Sequence, residues 1–506
     1  MLSRPDKSIR ERLTKLESHL ENENPLLLDA VIRFKKLDRV AYRMGLLDTS
    51  DSYATRIPWW PLISVLGTFS AGKSSFINHF LGKKLQLTGN QAVDDKFSVI
   101  CYSAQKESRV LPGVALDSDP RFPFYQMSDE INKVSEGEGR RIDAYLQMKT
   151  SDSEKVSGKI IIDSPGFDAD DQRNETLRLT NHIIDISDLV LVFFDARHPE
   201  PGAMHDTLDH LVGDTIRRND SEKFLYILNQ IDTAAGEDNP EAVVAAWQRA
   251  LAQKGLTAGR FYAIYNEEVS VPIVDDTVRK RFQSKRDTDL ADIYERIHQV
   301  EVERSYRIIG ALDHIASDIE NVVAPKLTEM MRRWMKAVLI TDAAIFGGLL
   351  ILIAVISNWI SLWGLFSLDF TNQAVISTLK VTAMTVAVIV IHSGVRSFIA
   401  NRIARKLETE SLAGNVKSAF LRNTRPIRSL FHPAPAGWTS RSRRILAGVV
   451  GDASRFVQTM NDRFTNPSGI IAESPQAEML KVVEEEDEPG DEPEVVHAKS
   501  SSDSAN

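Results

Sequence analysis

One short stretch constrains this chain more than any other. Residues 63–77 read ISVLGTFSAGKSSFI, an apolar run that passes into a turn with two glycines and then into a helix-forming segment. Residues 67–74 match the pattern GxxxxGK[ST] at every position, between the strand and the helix that the pattern requires. Backbone amides in such a turn, together with the helix N terminus, bind phosphate groups. The predicted nucleotide-binding residues of the turn are Gly67, Ser70, Ala71, Gly72, Lys73, Ser74 and Ser75.

Two later motifs favour one class of nucleotide-binding protein. A phosphate-binding turn alone is compatible with a kinase, an ATPase or a GTPase. Asp163 ends the apolar run KIIID, and from there its carboxylate can reach, through a water molecule, a Mg²⁺ ion bound by Ser74. The backbone amide of Gly166, three residues later, can sense the terminal phosphate. Asn229 and Asp232 end the run KFLYILNQID, and the Asp232 carboxylate can accept hydrogen bonds from a guanine. The order and spacing of the three motifs predict a GTPase.

Apolar runs and helical stretches alternate between residues 61 and 265. The runs LISVL, KIIID, LVLVFFD, KFLYIL and FYAIY are typical of strands, whereas PEAVVAAWQRALAQKG has the spacing of a helix. This alternation predicts an α/β domain over residues 58–280, a P-loop G domain whose mostly parallel sheet carries helices on both faces.

The segments that flank this domain are predicted to form an all-α stalk from residues 1–57, 281–336 and 396–466. In the first segment, apolar residues recur at helical spacing and Pro25 separates two helices. In the second, apolar positions as far as Val322 keep close to a seven-residue rhythm, which indicates a long packed helix.

Residues 337–395 are predicted to form a two-helix transmembrane hairpin. Its two apolar segments, residues 337–357 and 374–395, are each long enough to cross a hydrocarbon layer of about 30 Å at about 1.5 Å per residue. Basic residues precede and follow the pair, and the positive-inside rule then places both chain termini in the cytoplasm. A buried helical hairpin in a soluble protein is the alternative interpretation.

The charged residues inside the hairpin refine its expected placement. Asp342 and Lys380 each lie a turn or so inside an apolar segment, and we expect them to snorkel at opposite faces of the bilayer. His392 lies near the end of the second segment and is expected to be a hydrogen-bonded interfacial residue.

Composition limits the environment and the partners of the chain. The formal net charge is −9, and the acidic excess is concentrated in residues 467–506, a predicted disordered tail. The remainder is close to neutral, which argues against nucleic acid as a partner. The single Cys101 lies in an apolar run and indicates a reducing compartment, and the charged N terminus has no signal peptide. We expect a bacterial inner membrane protein with two transmembrane passes.

Several motifs together resemble a known superfamily. The turn GTFSAGKSS, with its doubled serine, resembles the dynamin superfamily. The runs LPGVALDSDPRFPF, IIDSPG and LVFFDAR resemble more closely the EH-domain-containing ATPases of that superfamily. The resemblance covers about residues 58–311. It implies a G domain on a helical stalk, binding to a lipid bilayer, nucleotide-dependent self-assembly, and hydrolysis stimulated by dimerisation of G domains.

The resemblance also implies roles for individual residues. Ser70, Lys73 and Gly166 would be catalytic, with Ser70 helping to hold the attacking water. Ser74 and Asp163 would serve Mg²⁺, and the substrate would be GTP, or ATP as in the EH-domain-containing relatives.

The sequence departs from the superfamily at several places. Switch I should offer a threonine over the metal, but Val93 and Asp94 stand there, and Thr88 reaches the site only if the loop shifts. In the motif that recognises the nucleotide base, residues 229–232 (NQID, hereafter the base motif), Gln230 replaces the usual lysine. The chain has no EH domain after the stalk, and its hairpin is more like the membrane segments of mitofusins.

These observations predict a membrane-anchored, dynamin-like GTPase that self-assembles and tethers, fuses or cuts membrane. Two alternatives stay open at this point: an ATP-specific ATPase, and a nucleotide-gated membrane scaffold with little hydrolysis. A small-molecule kinase would explain the phosphate-binding turn but neither the base motif nor the hairpin.

Overall fold

The computed structural model of the protein describes most of the chain. The described residues are 5–68, 70–88, 96–118, 121, 142–165, 173–197, 221–236, 240–256, 259–360, 374–407, 413–426, 428–432 and 434–465.

Within these residues, eight strands form one mixed sheet. The strands are β1 Leu62–Gly67, β2 Phe97–Tyr102, β3 Val110–Pro112, β4 Leu146–Ser151, β5 Ile160–Asp163, β6 Leu189–Asp195, β7 Phe224–Asn229 and β8 Arg260–Ala263. Their order is β3-β4-β2-β5-β1-β6-β7-β8. The β2–β5 and β3–β4 pairs are antiparallel and the other five are parallel, which confirms the predicted mostly parallel sheet.

Helices cover both faces of the sheet and extend beyond it. They are α1 Lys7–Glu23, α2 Pro25–Met44, α3 Tyr53–Arg56, α4 Lys73–Leu81, α5 Val114–Ser118, α6 Ile142–Tyr145, α7 Arg173–Ile186, α8 Pro240–Gln253, α9 Asp276–Asp318, α10 Ala324–Ile360, α11 Ala374–Ala404, α12 Val416–Asn423 and α13 Ser440–Thr465. Pro25 begins α2, as its position in the sequence predicted.

Aromatic side chains fill the core on both faces of the central strands. On one face, Phe76 of α4 packs against Phe193 of β6 with ring centroids 5.1 Å apart. On the other, Trp247 of α8 lies 5.6 Å from Phe194 and 5.8 Å from Phe261. Strands β1, β6 and β7 are buried along their full length, so their carboxyl ends are held rigidly at one edge of the sheet.

A single long helical segment leaves the sheet. Helix α9 ends in a π-helical turn, Ile319–Val323, and α10 follows without a break. The helix begins at Asp276, five residues before the boundary drawn from the sequence. The seven-residue rhythm is correct as far as Ile319, but Val322 is exposed because the π turn adds a residue and rotates the buried face. The domain boundaries themselves stay predictions.

The apolar segments of α10 and α11 are exposed. Within the described residues, two helical stretches, Asp276–Ile356 and Thr378–Ala404, are long and apolar enough to cross a membrane. Ile340 is 70% exposed and Leu350 is 68% exposed, which does not fit a hairpin buried within the described part of the chain. Residues 361–373, which connect the two helices, lie outside the described residues.

The two helices of the hairpin share a polar contact. His392 Nδ1 lies 2.7 Å from Asp342 Oδ2, so the hydrogen-bonded role predicted for His392 is confirmed. The prediction for Asp342 was incomplete, because its partner is 50 residues away and no local pattern identifies it. A histidine and a carboxylate thus set the register of α10 against α11.

A buried carboxyl group joins the N-terminal helices. Asp38 of α2 accepts hydrogen bonds from Ser52 Oγ at 2.6 Å and from the Tyr53 amide at 2.9 Å, at the start of α3. Burial raises the pKa of Asp38 from 3.8 to about 7.

This pKa makes stability depend on pH in a defined direction. The folded chain holds the Asp38 proton more tightly than the unfolded chain, so the contribution to stability is full below about pH 4 and is lost as the pH rises to about 7. Asp38→Asn should therefore gain roughly 3 kcal/mol relative to the wild type between pH 5 and pH 8. Thermal unfolding at both pH values measures the difference. Asp29→Asn, at an exposed position of the same helix, is the matched control, and an equal pH response of both variants would contradict the prediction.

Candidate nucleotide site

The phosphate-binding turn lies where β1 passes into α4. Gly72 precedes the helix with φ of +82°, and Lys73 is the first helical residue. Lys73 is buried, and its ammonium donates to the carbonyl oxygens of Gly67 at 3.0 Å and Thr68 at 2.9 Å. The turn therefore presents a helix N terminus and a cation at the carboxyl edge of the sheet, which is the chemistry that phosphates require.

Two oxygen ligands suited to Mg²⁺ lie beside the turn. Ser74 Oγ donates to Asp163 Oδ2 at 3.2 Å, because the parallel pairing of β1 with β5 brings the two motifs together. A hydroxyl and a carboxylate are hard oxygen donors, so the pair fits Mg²⁺ in composition. The same Asp163 oxygen accepts from Gln86 Nε2 at 2.7 Å, and Gln86 Oε1 accepts from the Lys149 ammonium. Gln86 and Lys149 therefore hold the Asp163 carboxylate in place.

The base motif clamps the outer side of the turn. Asn229 Nδ2 donates to the Ala71 carbonyl at 2.8 Å, and Gln230 Nε2 donates to the Ser70 carbonyl at 2.5 Å. Ser70 and Gln230 both have φ near +60°, the left-handed region that side chains other than glycine rarely adopt. Such strain persists only where neighbouring contacts hold it, and here the two strained residues hold each other.

Asp232 lies in the turn after β7. Its Oδ2 accepts from the Val271 amide at 2.8 Å, and burial raises the pKa of its carboxyl group. Recognition of guanine through both carboxylate oxygens would compete with the Val271 hydrogen bond. Asp232 follows β7 at the carboxyl edge of the sheet, and its role in base recognition stays a prediction.

Three further residues contact the site that were not among the predicted site residues. Arg197, after β6, binds Asp195 and has a 3.4 Å contact with the Ser70 carbonyl. Asn266, after β8, donates to Ser75 Oγ at 3.0 Å. Gln86 is the third. Two signals were available: Arg197 ends the run LVFFDAR, which resembles the EH-domain-containing ATPases, and both Arg197 and Asn266 follow apolar runs whose carboxyl ends share the edge of the sheet.

The structure brings most of the predicted site residues together. The turn, Asp163 and Asn229 are linked by the hydrogen bonds described above, and Asp232 lies three residues beyond Asn229. Thr88 is exposed and lies two residues after Gln86. Gly166, Val93 and Asp94 lie outside the described residues, so their roles stay predictions.

Substitution of Gly72 tests whether the hydrogen bonds from Asn229 and Gln230 to the turn, here called the clamp, support nucleotide binding. A Cβ atom added at Gly72 would lie 2.2 Å from Asn229 Nδ2, whereas one added at Gly82 has no atom within 4 Å, and both glycines have positive φ. Both alanine variants should lose about 1 kcal/mol of stability from backbone strain. Only Gly72→Ala should also displace Asn229 and weaken nucleotide binding by at least about tenfold, measured with a fluorescent nucleotide. Equal affinities for the two variants would contradict this role of the clamp.

Comparison with known proteins gives the family of this domain. Residues 63–230 match the family model described as Dynamin family. A search of curated proteins found no match. Two solved structures also align with this chain, both described as an oligomerised bacterial dynamin pair in the sensing and tethering of membranes. The first is 15% identical and the alignment covers 93% of this chain and 78% of that one; the second is 14% identical and covers 94% and 77%. Each alignment has a TM-score of 0.33. The family match includes the phosphate turn, Asp163 and Asn229, so residues 63–230 form a domain of the dynamin family.

Proposed function

We propose that this protein is a membrane-anchored nucleoside-triphosphate hydrolase that couples a nucleotide cycle to membrane remodelling. One observation carries the proposal: a dynamin-family phosphate site is joined, through the continuous helices α9 and α10, to exposed apolar helices. A soluble kinase or ATPase would not need such a helical connection to apolar surface.

The chemistry assigned to the site is hydrolysis of the terminal phosphate. The turn amides and the Lys73 ammonium would bind the phosphate oxygens. Ser74 and Asp163 would hold Mg²⁺, which would supply positive charge to neutralise the phosphates. In this proposal Ser70 would orient the attacking water, and the Gly166 amide, which lies outside the described residues, would contact the terminal phosphate. Asn229 and Gln230 keep the turn in its strained shape throughout, because they bind its outer carbonyl groups.

Force reaches the membrane through the long helix. Ile293, Ile297 and Val300 of α9 belong to the core that also contains Val65 and Phe76 next to the phosphate turn. A rearrangement at the turn therefore acts on a helix that ends in the apolar hairpin. Pairing of two G domains would supply the directed movement, and light scattering should detect a nucleotide-dependent dimer.

The hairpin is placed across the membrane twice, with both termini in the cytoplasm of a bacterial cell. Exposed apolar side chains between basic flanks support this placement. The proposed partners are the lipid bilayer and a second copy of the chain, and nucleic acid is not among them.

GTP is the proposed substrate, and the proposal is supported by the motif residue Asp232, whose carboxylate can accept hydrogen bonds from a guanine. ATP is the second candidate, favoured by Gln230 in the usual lysine position and by the likeness to the EH-domain-containing ATPases. Asp232→Ala should lower GTP affinity by about 100-fold, from the loss of two charge-assisted hydrogen bonds of roughly 1.5 kcal/mol each. ATP affinity of the same variant is the internal control. An unchanged preference for either nucleotide would contradict base recognition by Asp232.

Phosphate release separates the hydrolase from a scaffold. Detergent-purified protein is assayed with GTP and with ATP, with and without liposomes, using Lys73→Ala as the inactive variant and Lys84→Ala, an exposed lysine just after α4, as the matched control. Turnover of one nucleotide that liposomes stimulate supports the hydrolase. Tight binding without turnover supports a nucleotide-gated scaffold, in which case Asp94→Thr should raise turnover.

A further inference from the structure

A second contact between α10 and α11 lies where the two helices leave their apolar segments. The Arg396 guanidinium lies over the Trp334 ring at 5.2 Å, and Trp334 Nε1 donates to the Arg396 carbonyl at 3.2 Å. Arg396 is the first residue after the predicted hairpin, and Trp334 lies just before it. Both side chains are buried, so this contact joins α10 to α11 at the base of the predicted hairpin.

Arg396 also holds a loop that comes from elsewhere in the chain. Its Nη1 donates to the Pro426 carbonyl at 3.1 Å, and its Nη2 donates to the carbonyls of Arg425 at 3.1 Å and Arg428 at 2.6 Å. Arg428 in turn donates to the Ala434 carbonyl at 3.2 Å, which closes the loop. We name residues 425–432 the base loop, because one buried arginine ties it to the base of the hairpin.

The base loop presents an aromatic side chain to solvent. Phe431 is 71% exposed, and Phe398, two residues beyond Arg396 on α11, is 68% exposed. Phe431 follows Arg428 by three residues, and Arg396 binds the Arg428 carbonyl. Three residues of chain span at most about 10 Å, so Phe431 lies no further than that from the Arg428 carbonyl. Two large aromatic groups are therefore exposed beside the point where the apolar helices begin, a position typical of membrane-interface aromatics.

The sequence that contains the base loop carries seven basic residues between the acidic residues Glu410 and Asp452. Residues 411–451 contain Lys417, Arg422, Arg425, Arg428, Arg441, Arg443 and Arg444 and no acidic residue, in a chain with a net charge of −9. Arg402, Arg405 and Lys406 add exposed cations at the end of α11. Such a cluster next to apolar helices is complementary to anionic phospholipid headgroups, with each cation near the surface contributing about 1 kcal/mol.

We propose that the base loop is a second membrane contact, which inserts Phe431 at the interface and binds anionic phospholipid headgroups through Arg425 and its neighbours. The inference rests on the proposed insertion of the hairpin, because continuity with the hairpin puts the loop at the membrane surface. Arg396 is a positioning residue, since its guanidinium binds loop carbonyls and leaves the exposed cations to face the lipid.

An environment-sensitive fluorophore at Ser429→Cys tests the contact in the full-length protein. Ser429 is exposed, and Cys101 is buried, so the introduced thiol is the accessible one. The labelled protein is reconstituted in nanodiscs of phosphatidylcholine, with or without phosphatidylglycerol, that contain a lipid with a nitroxide on its headgroup. We expect quenching that is at least twofold stronger with phosphatidylglycerol and that weakens with added salt. Equal emission in detergent and in both nanodiscs would overturn the proposal.

A second label distinguishes failure of this inference from failure of the proposed function. Leu350→Cys places the fluorophore in the hairpin, where a nitroxide on the lipid acyl chain should quench it. Quenching at residue 350 without quenching at residue 429 overturns the base-loop contact and leaves the anchor in place. Absence of quenching at both positions overturns both.

Two substitutions in the Ser429→Cys background separate lipid binding from general surface charge. Phe431→Ser should reduce quenching in every nanodisc, and Arg425→Gln should reduce mainly the increase caused by phosphatidylglycerol. Lys280→Gln, an exposed cation on α9, is the control and should leave quenching unchanged. If Lys280→Gln lowers quenching as much as Arg425→Gln, the contact is nonspecific charge attraction and the proposal fails.

Discussion

The packing of α9 against the central sheet is the contact on which the rest of the structure depends. Ile293, Ile297 and Val300 lie in the same core as the strand that leads into the phosphate turn. The Asp289 carboxylate of α9 also accepts from the Ala263 amide at 2.7 Å, which attaches the helix to β8. Because the core is close-packed, a displacement at the turn cannot be absorbed locally and must move the helix or strain the core.

Charge is arranged differently at the two ends of this helical connection. At the sheet edge, the buried Asp163 is held by Gln86 and Ser74, and Lys73 is held by backbone carbonyls, so the polar groups are fixed before any phosphate binds. Preorganised polar groups of this kind lower the reorganisation needed for catalysis. At the hairpin base, Arg396 is fixed in the same manner, but the side chain of Arg425 in the base loop is exposed and available to bind lipid.

Sequence motifs predicted the site where a local pattern determines the backbone. The phosphate turn and Asp163 could be located because glycines, strand and helix follow one another within a few residues. Gln86 and Asn266 could not be located, since their contacts depend on the strand order and on turns that carry no motif. Arg197 ends the run LVFFDAR, but its contact with the phosphate turn depends on the strand order as well. The antiparallel β2–β5 pair was likewise hidden, because an apolar strand pairs in either direction with the same pattern. The rotation of the buried face at Ile319–Val323 required the π turn, which the seven-residue rhythm does not show.

The two cross-helix contacts of the hairpin have a joint consequence for force transmission. In hydrocarbon, apolar side chains give helices no preference for each other over lipid, so polar pairs and close packing fix their register. The pair of His392 with Asp342 and the pair of Arg396 with Trp334 lie at successive levels of α10 and α11. A push along α10 is therefore passed to α11 as well, and from Arg396 to the base loop that it binds. In the proposed placement, the long helix, the hairpin and the base loop form one mechanical unit that moves the lipid surface together.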